Sequence, residues 1–304
     1  MATTHEPDVP ASIRTWLAAS TDPDQSERLR ESFASDVEYD FDGRRRLGVD
    51  AVVAQLGTMP RGRFSETAVR LIDRGGDRYT VRFANADGAP MPSPGGPMAA
   101  MDFELGLDAD GLIATISPRP RHAEPSDLQP APAIGTPVPV FALPDTDGTA
   151  TTWFDPEAAA SVIVFTCNAC PWALGWQERL QAVARDYAPC GVRMVQINAN
   201  DPAVNAADAL TVSRARVATG DFATPYLVDA GQAVARRLGA RHTPDVYVVD
   251  RDRRLVYHGA PDADSERPEL RAQWLRDALD DVLAGEPVRL AQTRLMGCTI
   301  KWTL

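Results

Sequence analysis

Ser161-Val162-Ile163-Val164-Phe165-Thr166-Cys167-Asn168-Ala169-Cys170-Pro171-Trp172 is the stretch that decides how this chain is read. Ser161 to Phe165 is a short apolar, β-branched run that reads as a buried strand. From Ala173 to Tyr187 the apolar residues recur with helical spacing. Between the two stand a pair of cysteines in Cys-x-x-Cys spacing. A strand that delivers two thiols to a helix start builds a thiol–disulfide redox site, because thiols three positions apart can close a disulfide across one turn. Unpaired N–H groups and the positive end of the helix dipole lie at such a start. The spacing therefore predicts a thiolate at Cys167, the reactive form of the thiol, with Cys170 as the resolving partner.

Working outward, the chain alternates strand and helix. Val192 to Asn198 reads as a strand, followed by a polar loop and a helix from about Ala207 to Val217. Tyr226-Leu227-Val228 leads into a helix through Arg237, and Asp245–Val249 and Leu255–Tyr257 read as strands joined by the charged turn Asp250-Arg251-Asp252-Arg253. A last helix is expected from Pro268 to Leu283, ended by Gly285. This is the pattern of a mixed sheet with crossover helices. Upstream, Pro118, Pro120, Pro125, Pro130, Pro132, Pro137 and Pro139 make a stretch that reads as extended and unable to hold a helix or a central strand. The expected organisation is a domain over residues 1–122, a Pro-rich linker over 123–139 and a second domain over 140–304. Two domains suit a chain of 304 residues.

The first domain opens with a helical pattern in which Ile13, Trp16 and Leu17 share a face, with Leu29 and Phe33 on a second short helix. Asp36 to Phe41 alternates as a half-buried strand, Asp42-Gly43 signals a turn, and Asp50 is placed to cap a short helix through Leu56. Strand-like runs follow at Ala68–Asp73, Arg78–Ala84, Met98–Leu107 and Leu112–Ser117. Helices first and a curled antiparallel sheet after is an α+β order. With the phrases FASDVEYDFDG (33–43) and GVDAVVAQL (48–56), residues 10 to 120 resemble the SnoaL-like, or nuclear transport factor 2-like, cone fold. Trp16, Phe33, Tyr39, Phe41, Phe64, Tyr79, Phe83, Met101 and Phe103 read as core anchors. Asp36, Tyr39 and His122 are the candidates there for chemistry, without a readable partner, so dimerisation or ligand binding is the expected role.

The second domain resembles the thioredoxin superfamily, and within it a peroxiredoxin-like group, the alkyl hydroperoxide reductase/thiol-specific antioxidant proteins. Four phrases carry the likeness: FTCNACPW with QERL (165–172, 177–180), GVRMVQINANDP (191–202), ARRLGARHTPDVYVVD (235–250) and GCTIKW (297–302). The resemblance implies an α/β thioredoxin-like fold with a mixed central sheet. It implies a cis peptide at Thr243-Pro244, packed against the Cys-x-x-Cys, whose backbone can receive an extended substrate. The sequence departs from both parent patterns. Ser161 stands where thioredoxins carry a buried acid, six residues before the first cysteine. Neither Cys167 nor Cys170 has the peroxiredoxin Pro and Thr seven and three residues ahead: those positions hold Ala160 and Val164, or Ile163 and Cys167.

Other groups are weighed against plainer roles. His242, before Thr243, is either a proton shuttle or a loop histidine, and Trp172 either covers the thiols or joins the core. Cys298 either resolves a mixed disulfide or sulfenic acid at Cys167 or anchors the tail. Cys190 reads as structural, and His5 and His258 carry no signal. A metal site at the Cys-x-x-Cys would want a second ligand pair, and no second Cys-x-x-Cys appears. No glycine-rich phosphate loop appears either, so no cofactor is expected.

A formal net charge of −11 argues against nucleic acid and anionic membranes as partners. No apolar run nears the roughly 18 residues that span a bilayer, and the polar Met1 to Pro10 does not read as a secretory signal. The expected place is the cytoplasm. The expected function is thiol–disulfide oxidoreduction on a protein or small-molecule disulfide, recharged by a thiol reductase system, with a possible homodimer through the N-terminal domain. Two alternatives are a thiol peroxidase acting on hydroperoxides and a non-catalytic redox sensor or binding module.

Overall fold

The computed structural model describes residues 9–21, 23–41, 44–57, 67–89, 91 and 98–303. Phe64 and the Asp42-Gly43 turn lie outside the described residues. The chain divides into two units, the boundary falling between Ala123 and Glu124.

In the first unit, α1 (Ala11–Thr21) and a 3-10 segment (Pro23–Ser32) precede β1 (Phe33–Phe41), β2 (Arg44–Leu47), α2 (Val49–Leu56), β3 (Ala68–Gly75), β4 (Arg78–Ala84), β5 (Met98–Leu107) and β6 (Ile113–His122). The strands form one sheet in the order β2-β1-β6-β5-β4-β3. Four expectations need correction here. The sheet is mixed, because β1 runs parallel to β6. Phe33 begins β1 instead of closing a helix, and α2 starts at Val49 with Gly48 as its N-cap residue, so Asp50 sits within the first turn. Pro118 and Pro120 lie inside β6, opposite Phe103 and Met101 of β5. β1 pairs with β6 only as far as Ile116. Beyond it the prolines have a partner on one side only, and an edge position tolerates the missing N–H.

The aromatic anchors of this unit fill its core. Trp16, Phe83 and Phe103 meet edge to face, with centroids 5.0 to 6.1 Å apart. Each fully buried large apolar side chain contributes roughly 1.5–3 kcal/mol, and that requirement accounts for the alternation of the strands. Asp36 is exposed while Tyr39 is buried in the core, so these two candidates do not converge.

In the second unit the Pro-rich stretch is laid along the fold. Gln129 N–H donates to Arg236 O, Gly135 N–H to Leu255 O and Val138 N–H to Arg253 O, and Val138 is fully buried. A small hairpin of β7 (Ala142–Pro144) and β8 (Ala150–Thr152) follows. Then come β9 (Ala160–Thr166), α3 (Pro171–Tyr187), β10 (Val192–Asn198), α4 (Leu210–Ala218), β11 (Tyr226–Val228), α5 (Ala233–Leu238), β12 (His242–Thr243), β13 (Asp245–Asp250), β14 (Leu255–Gly259), α6 (Gln273–Leu283) and β15 (Cys298–Thr299). The expected helix from Pro268 is broken. A 3-10 turn ends at Leu270, and Arg271 and Ala272 take φ of 54° and 57° before α6 begins. Ala272 is fully buried there and its N–H is used by Asp262, so tertiary contacts impose the break.

The sheet order is β11-β10-β9-β13-β14. β9, β10 and β11 are parallel, and β13 and β14 are antiparallel to what they join, which gives the mixed sheet of a thioredoxin-like α/β fold. β9 is central and all seven of its residues are buried. Its alternate residues feed two cores. Val162 and Val164 pack with Trp176, Leu180, Val183 and Tyr187 of α3 and with Leu275 and Leu279 of α6. Ile163 and Phe165 pack on the other face with Ala235 and Leu238 of α5. One register relation positions the site. Asp245 stands opposite Phe165 in the β13–β9 pair. Thr243-Pro244, just before β13, is therefore brought beside the residues just after β9, which are the Cys-x-x-Cys.

Candidate active site

Cys167 to Cys170 form the connection from β9 to α3. Pro171 is the first helical residue, where its fixed φ suits the helix and its missing N–H costs nothing. Cys170 is accordingly the N-cap residue, and Cys167 lies three positions outside the helix. All four cysteines are free thiols. Cys167 and Cys170 are 2% and 4% exposed, so the dithiol is almost enclosed.

Thr243 ties the cluster together, and the Thr243–Pro244 peptide is cis. Cys167 Sγ donates to Thr243 Oγ1 at 3.3 Å, and the protonated Cys170 Sγ donates to Thr243 O at 3.1 Å. Thr243 Oγ1 in turn donates to Cys298 O at 3.3 Å. β12 and β15 pair antiparallel with Thr243 opposite Cys298 and His242 opposite Thr299.

The first negative charge in this cluster falls on Cys170. Hydrogen bonds from the thiols of Cys167 and Cys298 hold Cys170 far below the usual thiol range, against the opposing effect of burial. The cost appears on the donors. Sharing a proton with Cys170 and burial push Cys167 well up, and the same two causes push Cys298 up. In this direction the charge sits on the second cysteine, where the sequence expectation put it on the first. The helix starts at Pro171, two residues before the expected Ala173, and its N-terminus lies at the second cysteine. The three thiols titrate as a unit, with one charge centred on Cys170.

The residue between the cysteines is held by a buried polar network that sequence reasoning missed. Asn168 N–H donates to Asp208 Oδ1 at 2.7 Å, and Asn168 Nδ2 donates to Ser213 Oγ at 2.8 Å and to Ala207 O at 3.1 Å. Asn168 Oδ1 accepts from Tyr226 OH at 3.0 Å. Asn200 Nδ2 donates to the other Asp208 oxygen at 2.9 Å, and Asn198 Nδ2 to Oδ1 at 3.3 Å. The available signal was the run of amides at the end of β10, Asn198 and Asn200, which a buried strand end keeps only if something pairs them. His258 was also passed over. It is buried, stacked on Tyr247 and 2.8 Å from Asp245 Oδ1 through Nε2.

The remaining candidates sort by position. Trp172 is buried in the same apolar cluster as the two thiols, its ring 5.8 Å from that of Trp176. His242 is half-buried on β12, one residue before the hub. Cys190 is exposed in a 3-10 turn, which gives it no packing role. Among the described residues there is no group of three or more His, Cys, Asp or Glu side chains able to hold a metal ion. Among them, too, no helix is long and apolar enough to cross a membrane.

The AhpC/TSA family profile matches residues 134–258, which include the dithiol, Thr243-Pro244 and all of the five-stranded sheet but its last residue, Gly259. The hypothetical protein SMc02350 from Sinorhizobium meliloti 1021 is 38% identical to this chain, over 57% of the chain and 96% of that protein, with a TM-score of 0.54. The second unit thus carries an AhpC/TSA-like segment over residues 134–258. An uncharacterized conserved protein from Geobacillus kaustophilus is likewise 38% identical, over 56% of this chain and 93% of its own, with a TM-score of 0.52. No curated protein matches. The AhpC/TSA match supports thiol-based redox chemistry as the coarse function of the site. The profile ends at His258, so Cys298 and the β15 contact lie beyond the matched segment.

Proposed function

We propose that this protein is a thiol–disulfide oxidoreductase that cycles Cys167 and Cys170 between dithiol and disulfide. The observation that carries the reading is the hub at Thr243, where both sulfurs of a Cys-x-x-Cys rest on one residue of a cis turn at 3.3 and 3.1 Å. A proton shared between the two sulfurs lets the charge centred on Cys170 pass to Cys167. Cys167 then attacks a substrate disulfide, one substrate sulfur leaves as a thiol, and a mixed disulfide forms. Cys170 attacks that intermediate, releases the second thiol and closes the internal disulfide. The reductant that restores the dithiol is a thiol reductase system, and the substrate is a protein or small-molecule disulfide. The cytoplasm, as a reducing compartment, belongs to the same reading.

The test is the redox couple itself, read by thiol labelling and mass spectrometry across a graded dithiothreitol buffer. A reversible two-electron Cys167–Cys170 transition is expected, with turnover far slower in Cys167→Ser and a mixed disulfide trapped in Cys170→Ser. Full turnover in Cys167→Ser would sink the proposal. A sensor would change oligomeric state on oxidation without sustaining turnover.

A second reading, thiol peroxidase, is favoured by the depressed Cys170 at the α3 N-terminus and by the family. There the Cys170 thiolate takes the terminal oxygen of a hydroperoxide, an alcohol leaves, and Cys167 displaces water from the sulfenic acid. Peroxide consumption no faster than that of free cysteine excludes it. The first unit is proposed to be a SnoaL-like ligand-binding or dimerisation domain. That role is supported by the helix-first order and the sheet order described above. The domain bounds 1–122 and 140–304 remain part of the proposal.

A further inference from the structure

The dithiol has a third sulfur beside it, brought there by the tail. β15 is only two residues long, yet its place is fixed on both sides. Gly297 passes so close to the turn that a Cβ there would lie 2.4 Å from Thr243 O, so no other residue fits without moving the backbone. Downstream, Ile300 N–H donates to Arg241 O and Lys301 N–H to Asn200 Oδ1. Gln232 Nε2 donates to Lys301 O, and Thr303 N–H donates to Gln232 Oε1. Ile300, Lys301 and Trp302 are all buried. The tail is anchored along its length, and Cys298 stays opposite Thr243, the residue on which Cys167 and Cys170 rest.

We infer that Cys298 is a third redox thiol whose partner is Cys170, so that the site alternates between a Cys167–Cys170 and a Cys170–Cys298 disulfide. The inference rests on the dithiol reading above and extends it. In the exchange, Cys298 Sγ attacks the Cys170 sulfur of the Cys167–Cys170 disulfide. The 298–170 bond forms and the 167–170 bond breaks. Cys167 leaves as a thiolate and takes the proton that Cys298 gives up, with no net change in oxidation. Thr243 touches the sulfurs of Cys167 and Cys170 and the backbone carbonyl of Cys298, and the Cys298 side chain packs against the cluster that holds both thiols, so the exchange takes place at one turn. The half-buried Cys298 is more open than either partner, and the disulfide moves outward toward whatever reduces it.

The same strand settles what can reach Cys170. Strand addition by a peptide needs a free edge, and the edge of β12 is held by β15. An extended peptide therefore cannot add at that edge, and the oxidised partner we infer is a small-molecule disulfide.

The test uses the full chain. Reduced Cys167→Ser protein is treated with oxidised glutathione, quenched with N-ethylmaleimide and mapped by mass spectrometry, with circular dichroism to show that it is folded. The expected product is an intramolecular Cys170–Cys298 disulfide with two glutathione molecules released per chain. Glutathione left on Cys170, or links between chains in its place, overturns the relay. Oxidised insulin reacting as fast as glutathione overturns the restriction to small molecules. A Cys298→Ser variant separates the two readings. If Cys167 and Cys170 pair in it while Cys170 and Cys298 fail to pair in Cys167→Ser, the relay falls and the dithiol stands. The opposite pattern removes the dithiol reading and leaves Cys170–Cys298 as the working pair.

Discussion

Thr243 and Cys298 face each other across a two-residue antiparallel pair, and the Thr243 hydroxyl donates to the Cys298 carbonyl at 3.3 Å. Fifty-five residues of chain separate them. Gly297 makes the approach possible, since a Cβ there meets backbone that cannot swing aside. Gly297→Ala is expected to lift Cys298 from the turn while leaving the two cores of the second unit intact. Alkylation of Cys298 by iodoacetamide in the native protein should rise at least about tenfold, roughly 1.4 kcal/mol of lost docking. Unchanged labelling would mean that the tail is not held by this contact.

The charge distribution among the thiols predicts a pH profile. Cys170 is depressed, so it should alkylate at a rate nearly independent of pH from neutral down into the acid range, while Cys167 and Cys298 alkylate more slowly and gain rate as pH rises. The stability of the reduced protein follows by linkage. A thiol whose folded pKa is depressed contributes stability that is fully present above its unfolded pKa, roughly 8.5, and is lost as pH falls toward the folded value. Cys167 and Cys298 act in the opposite sense, and their contribution is lost as pH rises above the same unfolded value. The reduced protein should therefore be most stable near the unfolded thiol pKa and less stable on either side. Urea midpoints from pH 5 to 10, compared with Cys170→Ser, test this. An acid limb that survives in Cys170→Ser would assign it to other groups.

Asp208 should matter twice. Its carboxylate accepts the Asn168 N–H inside the Cys-x-x-Cys and is fed by Asn198 and Asn200. Asp208→Ala leaves those donors buried without an acceptor, at about 1–3 kcal/mol for each group left unsatisfied. Its negative charge also helps to raise Cys167. Asp208→Asn, which keeps most of the hydrogen bonding, should let Cys167 alkylate at lower pH than in the parent. A stability loss in Asp208→Asn equal to that in Asp208→Ala would argue against a separate electrostatic effect.

What could be read in advance was local. β9 and α3 announce themselves because Val162 to Phe165 and Trp176, Leu180, Val183 and Ala184 show their periods within a few residues. The cis turn was legible through a phrase, not through physics. What escaped depended on neighbours distant in sequence. Pro118 and Pro120 are tolerable in β6 only because β1 stops at Ile116, and no local pattern carries that. Helix α3 starts at Pro171, so Cys170 is its N-cap residue and Cys167 lies outside it, which the Cys-x-x-Cys spacing alone does not fix. Ala272 looks like a helix residue until Asp262 takes its N–H. Cys298 was visible as a third thiol, but its partner was fixed by the tail's path across β12.

The base of α3 is held by a buried ion pair whose removal should be costly. Arg179 and Asp262 are 7% and 1% exposed at their side chains, with Arg179 Nη1 2.6 Å from Asp262 Oδ2. Trp176 Nε1 donates to Asp262 Oδ1 at 2.6 Å and the Ala272 N–H to Oδ2 at 2.8 Å, while Arg179 also donates to the carbonyls of Asp264, Ser265 and Arg267. The pair thus pins the loop before α6 to the helix that carries Cys170. Its net contribution over an apolar substitute is small, but removing one member strands the other charge in a dry interior. Arg179→Met should cost about 3–5 kcal/mol and release the loop, seen as faster amide exchange from Asp262 to Ala272. The Arg179→Met/Asp262→Leu double variant should recover a large part of that loss, since no charge is then left unpaired. If the double variant is as unstable as the sum of the two single changes, the residues act independently, and the pinning of α3 must come from apolar packing of Trp176 and Leu180 alone.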